Sequence, residues 1–314
     1  MSPSLRQRGV ALVVALLVVA LATLLIAGLL DRGELGAART RNQLRESQAL
    51  AYAQGLEAYA ARVLQQDLQQ AGAGNVDSAD DIWAIPLPPT PVPGGEITAT
   101  MQDLNGRFNL NNLSAGVANS PAWQTKFVQL LQALKLDPSL AQAVAGWMDS
   151  GAAAEARDGW YLGQPVPYRA AHRMFAHVSE LRLVEGVTGD VYAQLAPHVV
   201  ALPPGTRINV NTASVPVLMT LDASITQQTA QALWQQGHAH YGDLSALTKD
   251  PAVANLRLSA TALATCYAVE SHYFLARGDI TLDGLPFTFF SLIDRRVGGA
   301  DGGIHVLQRG RGGD

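Results

Sequence analysis

The sequence predicts an α+β fold: a long N-terminal helix, transmembrane in its first part, an antiparallel sheet split along the chain, and a large inserted all-helical domain. Three observations carry this reading. Val10 to Leu30 is an uncharged run of 21 residues, and helical spacing without proline continues from it to about Gln70. Alternating, strand-like segments occur around residue 100 and return after residue 264. Between them, Leu113 to Leu263 reads as short amphipathic helices broken by "SAG", "LDPS", "VTGD" and "LPPG".

The apolar run comes first. At about 1.5 Å of rise per residue it covers roughly 30 Å, the thickness of a bilayer's hydrocarbon core. It is longer than the apolar stretch of a cleaved secretory signal. Arg6 and Arg8 precede it without an acidic residue, so the positive-inside rule keeps the amino terminus cytoplasmic and sends the remaining 284 residues across the inner membrane. Taken alone, the run would equally suit a signal anchor that tethers an enzyme.

Past the run, residues 31–72 form the solvent part of the same helix. Tyr52, Leu56, Tyr59 and Val63 are spaced as one helical stripe, and Gly72 and Gly74 end it. "IPLPPTPVPGG" carries prolines at 86, 88, 89, 91 and 93, which predicts an extended surface connection. "EITATMQDLNGRFNLN" predicts two strands joined at Asn105-Gly106, the strongest short hairpin signal. These strands make residues 73–112 the first part of the α/β domain. Residues 264–314 supply the second, with Asp283-Gly284 as the turn between Glu270 to Ile280 and Leu285 to Arg295, and "GGIHVLQRG" as a last strand.

"FNLNNLSAG" and "INVNTASVP" repeat one pattern at an offset of 100 residues, each ahead of a helix pair. Asn109, Asn111, Asn209 and Asn211 read as caps and turn builders. Such pairs resemble helix-hairpin-helix and SAM-like units, some of which hold nucleic-acid phosphates. That grip needs hairpin glycines and a basic rim. "LKLDPSL" and "LDASITQ" lack the glycines, and "VEGVTGD" sets them beside Glu185 and Asp190. A net charge of -4 and only three lysines give no general attraction to nucleic acid or anionic lipid.

Chemistry-bearing motifs are scarce. Cys266 is the sole cysteine, which excludes an intrachain disulfide and multi-cysteine metal sites. The seven histidines form no HExxH, and there is no nucleophile elbow, phosphate loop or dinucleotide fingerprint, so no enzyme activity is expected. "WMDSGAAAEARDGWYLGQPVPYR" is the best ligand candidate: Asp149, Glu155 and Asp158 place three carboxylates in ten residues, and hard oxygen donors suit calcium. The alternative is a solvated acidic loop.

"RQRGVALVVALL", "DLNGRFNLNNL", "WMDS", "PYRAAHRMF", "ELRLVEGV" and "INVNTAS", in that order, make the whole chain resemble the K-type minor pseudopilins (GspK) of bacterial type II secretion systems. The resemblance implies a pilin-like fold carrying the inserted helical domain, and a non-enzymatic subunit at the pseudopilus tip. It implies that a prepilin peptidase removes residues 1–9, cutting between Gly9 and Val10 and methylating Val10. It also implies I-, J- and H-type minor pseudopilins and the major G subunit as partners, an inner-membrane assembly platform, calcium in the globular part, and contact with secreted cargo as an option. Family loops carry a second aspartate two residues after the first, where this sequence has Gly151.

Most pilin-like subunits have glutamate at the fifth mature position, where this chain has Val14. A carboxylate in hydrocarbon costs several kcal/mol unless paired, so a subunit with no neighbour above it does better without one. The runner-up reading is a membrane-anchored DNA-uptake protein using its helix-hairpin-helix-like units.

Overall fold

The structure, a computed structural model, describes residues 5–71, 75–155, 158–296 and 303–312. Helix α1, Leu5–Ala71, is a single element of 67 residues, about 100 Å long at 1.5 Å per residue. Its first part touches no other element, and burial begins at Ala49. From there Ala49, Leu56, Ala60 and Leu64 face the sheet. The expected stripe is thus rotated: Tyr59 is 47% exposed, because the small Ala60 rather than the bulky ring lets helix and sheet approach.

The sheet has five strands in the order β1-β2-β7-β8-β9, all antiparallel. They are β1 (Leu87–Val92), β2 (Gly95–Asp103), β7 (Tyr273–Leu282), β8 (Leu285–Asp294) and β9 (His305–Arg311); β3 to β6 lie in the insertion. The proline-rich connection is itself the edge strand β1, whose ladder with β2 shifts register between Leu87 and Thr90, where the adjacent Pro88 and Pro89 lie. Asp283-Gly284 forms the expected two-residue turn, with φ of 48° and 79°.

Asn105-Gly106 does not make the expected hairpin. Strand β2 pairs with β7 instead, and β3 (Phe108–Asn109) pairs in parallel with β4 (Val199–Val200). Tertiary bonds outcompete the local turn preference: Asn105 Oδ1 accepts from His272 N and Tyr273 N at 3.0 Å, and its Nδ2 donates to Arg207 O at 3.1 Å. Gly106 is needed for another reason, since a Cβ there would lie 2.5 Å from Thr212 O.

The helical block reaches further than Leu113 to Leu263. Its first unit opens with β3, runs through α2 (Ser120–Ala133), α3 (Leu140–Met148), α4 (Ala152–Glu155), α5 (Gly159–Leu162) and α6 (Gly189–Leu195), and closes with β4. The second opens with β5 (Ile208–Asn209), runs through α7 (Val215–Leu218), α8 (Gln227–Trp234), α9 (Leu244–Thr248) and α10 (Ala260–Leu263), and closes with β6 (Tyr267–Ala268), parallel to β5. One apolar core runs through both units, from Phe108 and Trp123 to Leu247 and Tyr267.

The four repeat asparagines do more than cap. Asn109 and Asn209 accept from Asn111 N and Asn211 N as expected, yet all four are buried and hold distant backbone. Asn111 accepts from Phe175 N at 2.7 Å and donates to Phe175 O at 3.0 Å. Asn211 does the same with Tyr241 N and O, at 2.7 and 3.1 Å. Each repeat therefore uses its second asparagine to latch a loop across the unit.

Sheet and helix run side by side, which fixes where the insertion sits. At the end nearer the apolar run Arg45 pairs with Asp283 of the β7-β8 turn at 2.8 Å. At the other end Asp67 pairs with Arg295, just past β8, at 2.7 Å. The helical block leaves after Asp103 and returns before Tyr273, with Leu104, Val200, Leu202 and Tyr273 packed at the junction. It stands at the end of the sheet remote from the apolar head of α1.

Candidate functional site

Two regions carry the candidate residues: the free part of α1 and the acidic loop. Gly9 and Val10 both lie within α1, while Met1 to Ser4 of the expected leader fall outside the described residues. Val10 is 65% and Val14 55% exposed, and the whole run presents bare apolar surface that no element of the chain covers. Among the described residues this is the one helix long and apolar enough to cross a membrane. Val14 therefore places no charge on this bare apolar surface.

In the acidic loop the three carboxylates do not converge. Asp158, at the start of α5, is buried; its Oδ2 accepts from His172 Nε2 at 3.1 Å and its Oδ1 from Ala170 N at 3.3 Å. Asp149 contributes its backbone oxygen, 2.7 Å from His172 Nδ1, and Glu155 is exposed. Each ring nitrogen of His172 thus faces an oxygen, which favours the protonated ring. The Asp149 carbonyl and the Asp158 carboxylate hold its pKa above the ordinary histidine value. Burial pushes Asp158 up, and the bonds from His172 and Ala170 outweigh it, leaving the carboxyl below its usual range. The donor set is oxygen-rich, as calcium requires, but Asp158 would have to exchange His172 for the ion.

Sequence reasoning missed the polar centre at the far end of α1. Asp67, Asp77 and Asp81 bring carboxylate oxygens within 4.8 Å of one another. The cation there is Arg295, fully buried, bonded to Asp67 and Asp77 and to Ser271 O at 3.1 Å, with its guanidinium 4.5 Å from the Phe274 ring centre. Asp81 turns to Ser78 N and Trp83 Nε1. Burial raises Asp67 and Asp77, the latter to about 6 against the opposing pull of Arg295. The cluster is a structural clasp between helix, sheet and the segment joining them. Arg295-Arg296 at a strand end gives no sequence signal for partners more than 200 residues earlier.

A helix that is apolar at its head, bare for half its length and laid by its tail on an antiparallel sheet defines a pilin-like, membrane-anchored subunit, enlarged here by the helical block. Two sequence models described as "Type II secretion system (T2SS), protein K" match residues 106–204 and 208–270. They meet where the structure divides the insertion into two units. The Type II secretion system protein K of Pseudomonas aeruginosa is 36% identical, over 98% of this chain and 93% of that one. That of Pectobacterium carotovorum subsp. carotovorum is 35% identical over 74% and 75%. A chain in the crystal structure of the GspK-GspI-GspJ complex from enterotoxigenic Escherichia coli superposes with a TM-score of 0.75 at 29% identity, covering 88% of this chain and 100% of that one.

The chain belongs to the type II secretion system protein K family.

Proposed function

We propose that this minor pseudopilin is a non-enzymatic tip subunit: it starts the pseudopilus together with I- and J-type partners and caps it, so that proteins can be exported across the outer membrane. The observation that carries this reading is the position of the helical block. A block wider than the helix, standing beyond the membrane-distal end of the sheet, leaves the apolar part of α1 open to helices below and obstructs a subunit stacking above. Val14 supports the same direction, because a terminal subunit has no neighbouring amine for a glutamate to meet.

Maturation belongs to the proposal: prepilin peptidase cuts between Gly9 and Val10 on the cytoplasmic side, Val10 is methylated, and the rest of the chain is periplasmic. The H-type subunit, the major G subunit and the assembly platform are its further partners. Calcium is proposed for the acidic loop on the condition that Asp158 releases His172. The complex formed by the structural relative supports the I and J partners. The deciding experiment mixes residues 31–314 with the soluble parts of the matching I and J pseudopilins. A 1:1:1 particle is expected by light scattering, and three separate monomers at micromolar concentration would overturn the proposal.

A further inference from the structure

Between the apolar run and Ala49, the first buried residue of α1, residues 31–48 carry four arginines and three acids. Two of these charges are satisfied on the sheet: Arg45 holds Asp283 at 2.8 Å and Glu46 holds Arg311. Asp31 and Glu34 come at the foot of the stretch, beside Arg32. Arg39 and Arg41 are exposed, and no acid stands three or four residues from either, the spacing at which a helix pairs charges. Among the described residues neither has a carboxylate partner elsewhere in the fold. Arg41 has instead a like charge, Arg45, four residues on.

Height and sign decide what these two cations meet. At about 1.5 Å per residue, Arg39 and Arg41 stand roughly 14 and 17 Å beyond Leu30, whereas a headgroup layer is about 5–8 Å deep. A tilt of about 20° shortens those heights by only about 1 Å, so lipid phosphates lie below both. A second copy of this chain at the same level would set arginine against arginine. A membrane-anchored helix of another sequence, rising parallel to α1, brings side chains to this height, and a carboxylate there answers the charge. The apolar run below is bare, so no other part of the chain keeps such a neighbour away.

The two arginines serve different sides. Two residues apart on a helix, they are about 200° apart round its axis and cannot face one neighbour together. Arg39 lies one heptad below Glu46, which bonds Arg311 on β9. Arg41 lies one heptad below Gln48, whose Nε2 donates to Pro93 O in the β1-β2 turn at 2.8 Å. One arginine thus flanks α1 on the β9 side of the sheet and the other on the β1 side.

We infer that Arg39 and Arg41 fix the axial register of α1 in the pseudopilus: each binds an Asp or Glu carboxylate on the helix of a different neighbouring pilin-like subunit, one on either flank. The inference rests on the tip reading above and deepens it, naming the charge the partners must carry and the height at which they carry it. Apolar packing alone sets that height poorly, because residues 10–30 are all Val, Leu, Ile, Ala, Gly or Thr. A slip by one turn, about 5.4 Å, exchanges one set of similar contacts for another. The same slip pulls a charge pair apart, in the way that a single polar position fixes register in a coiled coil.

The test uses the full chain in cells that carry its own secretion system. Photocrosslinking benzoylphenylalanine is placed at Gln43, four residues above Arg39, or at Ala37, four residues below Arg41, so that each probe reports one flank. Each should form an adduct with the helix of another pilin-like subunit, mapped by mass spectrometry to within one turn of an Asp or Glu. Arg39→Glu should lower the Gln43 adduct about tenfold, Arg41→Glu the Ala37 adduct by as much, and the Arg→Lys variants should keep most of the yield. Changing the mapped partner acid to arginine should restore the adduct of the matching Arg→Glu variant, which a merely structural role for the arginine would not do. Yields indifferent to Arg→Glu, adducts confined to lipid or to a second copy, or mapped segments without an acid overturn this inference alone. No adduct with any pilin-like subunit from the unaltered arginines would strike the tip reading together with it.

Discussion

Replacing Asn111 by alanine removes a latch whose energy can be worked from its geometry. The substitution leaves Phe175 N and Phe175 O without the partners they hold at 2.7 and 3.0 Å, in a site where Asn111 is 4% exposed. Leu202 O also loses Asn111 but still accepts from Asn109 Nδ2 at 3.2 Å. Two orphaned buried backbone groups at about 1–3 kcal/mol each give a cost of about 4 kcal/mol. Against a domain stability of about 5–15 kcal/mol that is a large fraction, and it corresponds to a fall in Tm of roughly 10 °C for a unit of this size. Urea unfolding of residues 31–314, followed by circular dichroism, measures it as a lower midpoint at unchanged slope. Asn211→Ala should cost about the same, because Tyr241 N and O are orphaned in the same way. A loss below about 1 kcal/mol for both would refute the view that the repeat asparagines are long-range latches rather than local caps.

Arg295→Met leaves Asp67 and Asp77 facing each other without their cation, which should cost about 3–5 kcal/mol by urea unfolding. Asp77 titrates at about 6 in the fold against 3.8 unfolded, so its contribution is full below 3.8 and is lost as pH rises through 6. The stability difference between the natural chain and Asp77→Asn should therefore fall by up to about 3 kcal/mol between pH 4 and pH 7, and a rise would contradict the dominance of burial. Calcium at a hundredfold excess over its dissociation constant should stabilise the soluble part by about 2.7 kcal/mol, read as a higher Tm than in EDTA; an unshifted Tm removes the ion from the acidic loop. Gly9→Ala should leave the nine-residue leader attached, and a normally shortened chain by mass spectrometry would remove the cleavage site proposed here.

What the sequence disclosed was whatever short-range pattern controls. The apolar run, the β7-β8 hairpin at Asp283-Gly284 and the helical character of the insertion are all set within a few residues, and each is where the periodicity puts it. Asn105-Gly106 shows the limit: its local preference for a tight turn is real, but hydrogen bonds to His272 and Tyr273, more than 160 residues away, decide its conformation. The edge strand β1 shows another. Prolines exclude a central strand but leave extended edge pairing open, so composition could not separate strand from connection. Spacing alone places Tyr59 in the helical stripe, whereas the close approach of α1 to the sheet selects Ala60. The Arg295 clasp and the His172-Asp158 pair join residues with no spacing rule between them, and only the fold brings them together.

The junction explains how a block inserted into a sheet is fixed in orientation. Asp103 ends β2 where the chain leaves the sheet. Its carboxylate accepts from Ser271 Oγ at 2.6 Å, from Thr212 Oγ1, from Asn209 Nδ2 at 3.4 Å and from Asn105 N at 2.7 Å. The donors come from the outgoing strand, the start of the second unit and the return into β7, so one side chain ties all three. Asn209 then donates to Ser271 Oγ and to Asp77 O, reaching the segment that Arg295 holds against α1. Burial raises the Asp103 pKa against these bonds, so the network costs desolvation that a hinge would not need to bear. Its effect is to make the helical block continuous with the helix and sheet, through bonds that a flexible joint would lack.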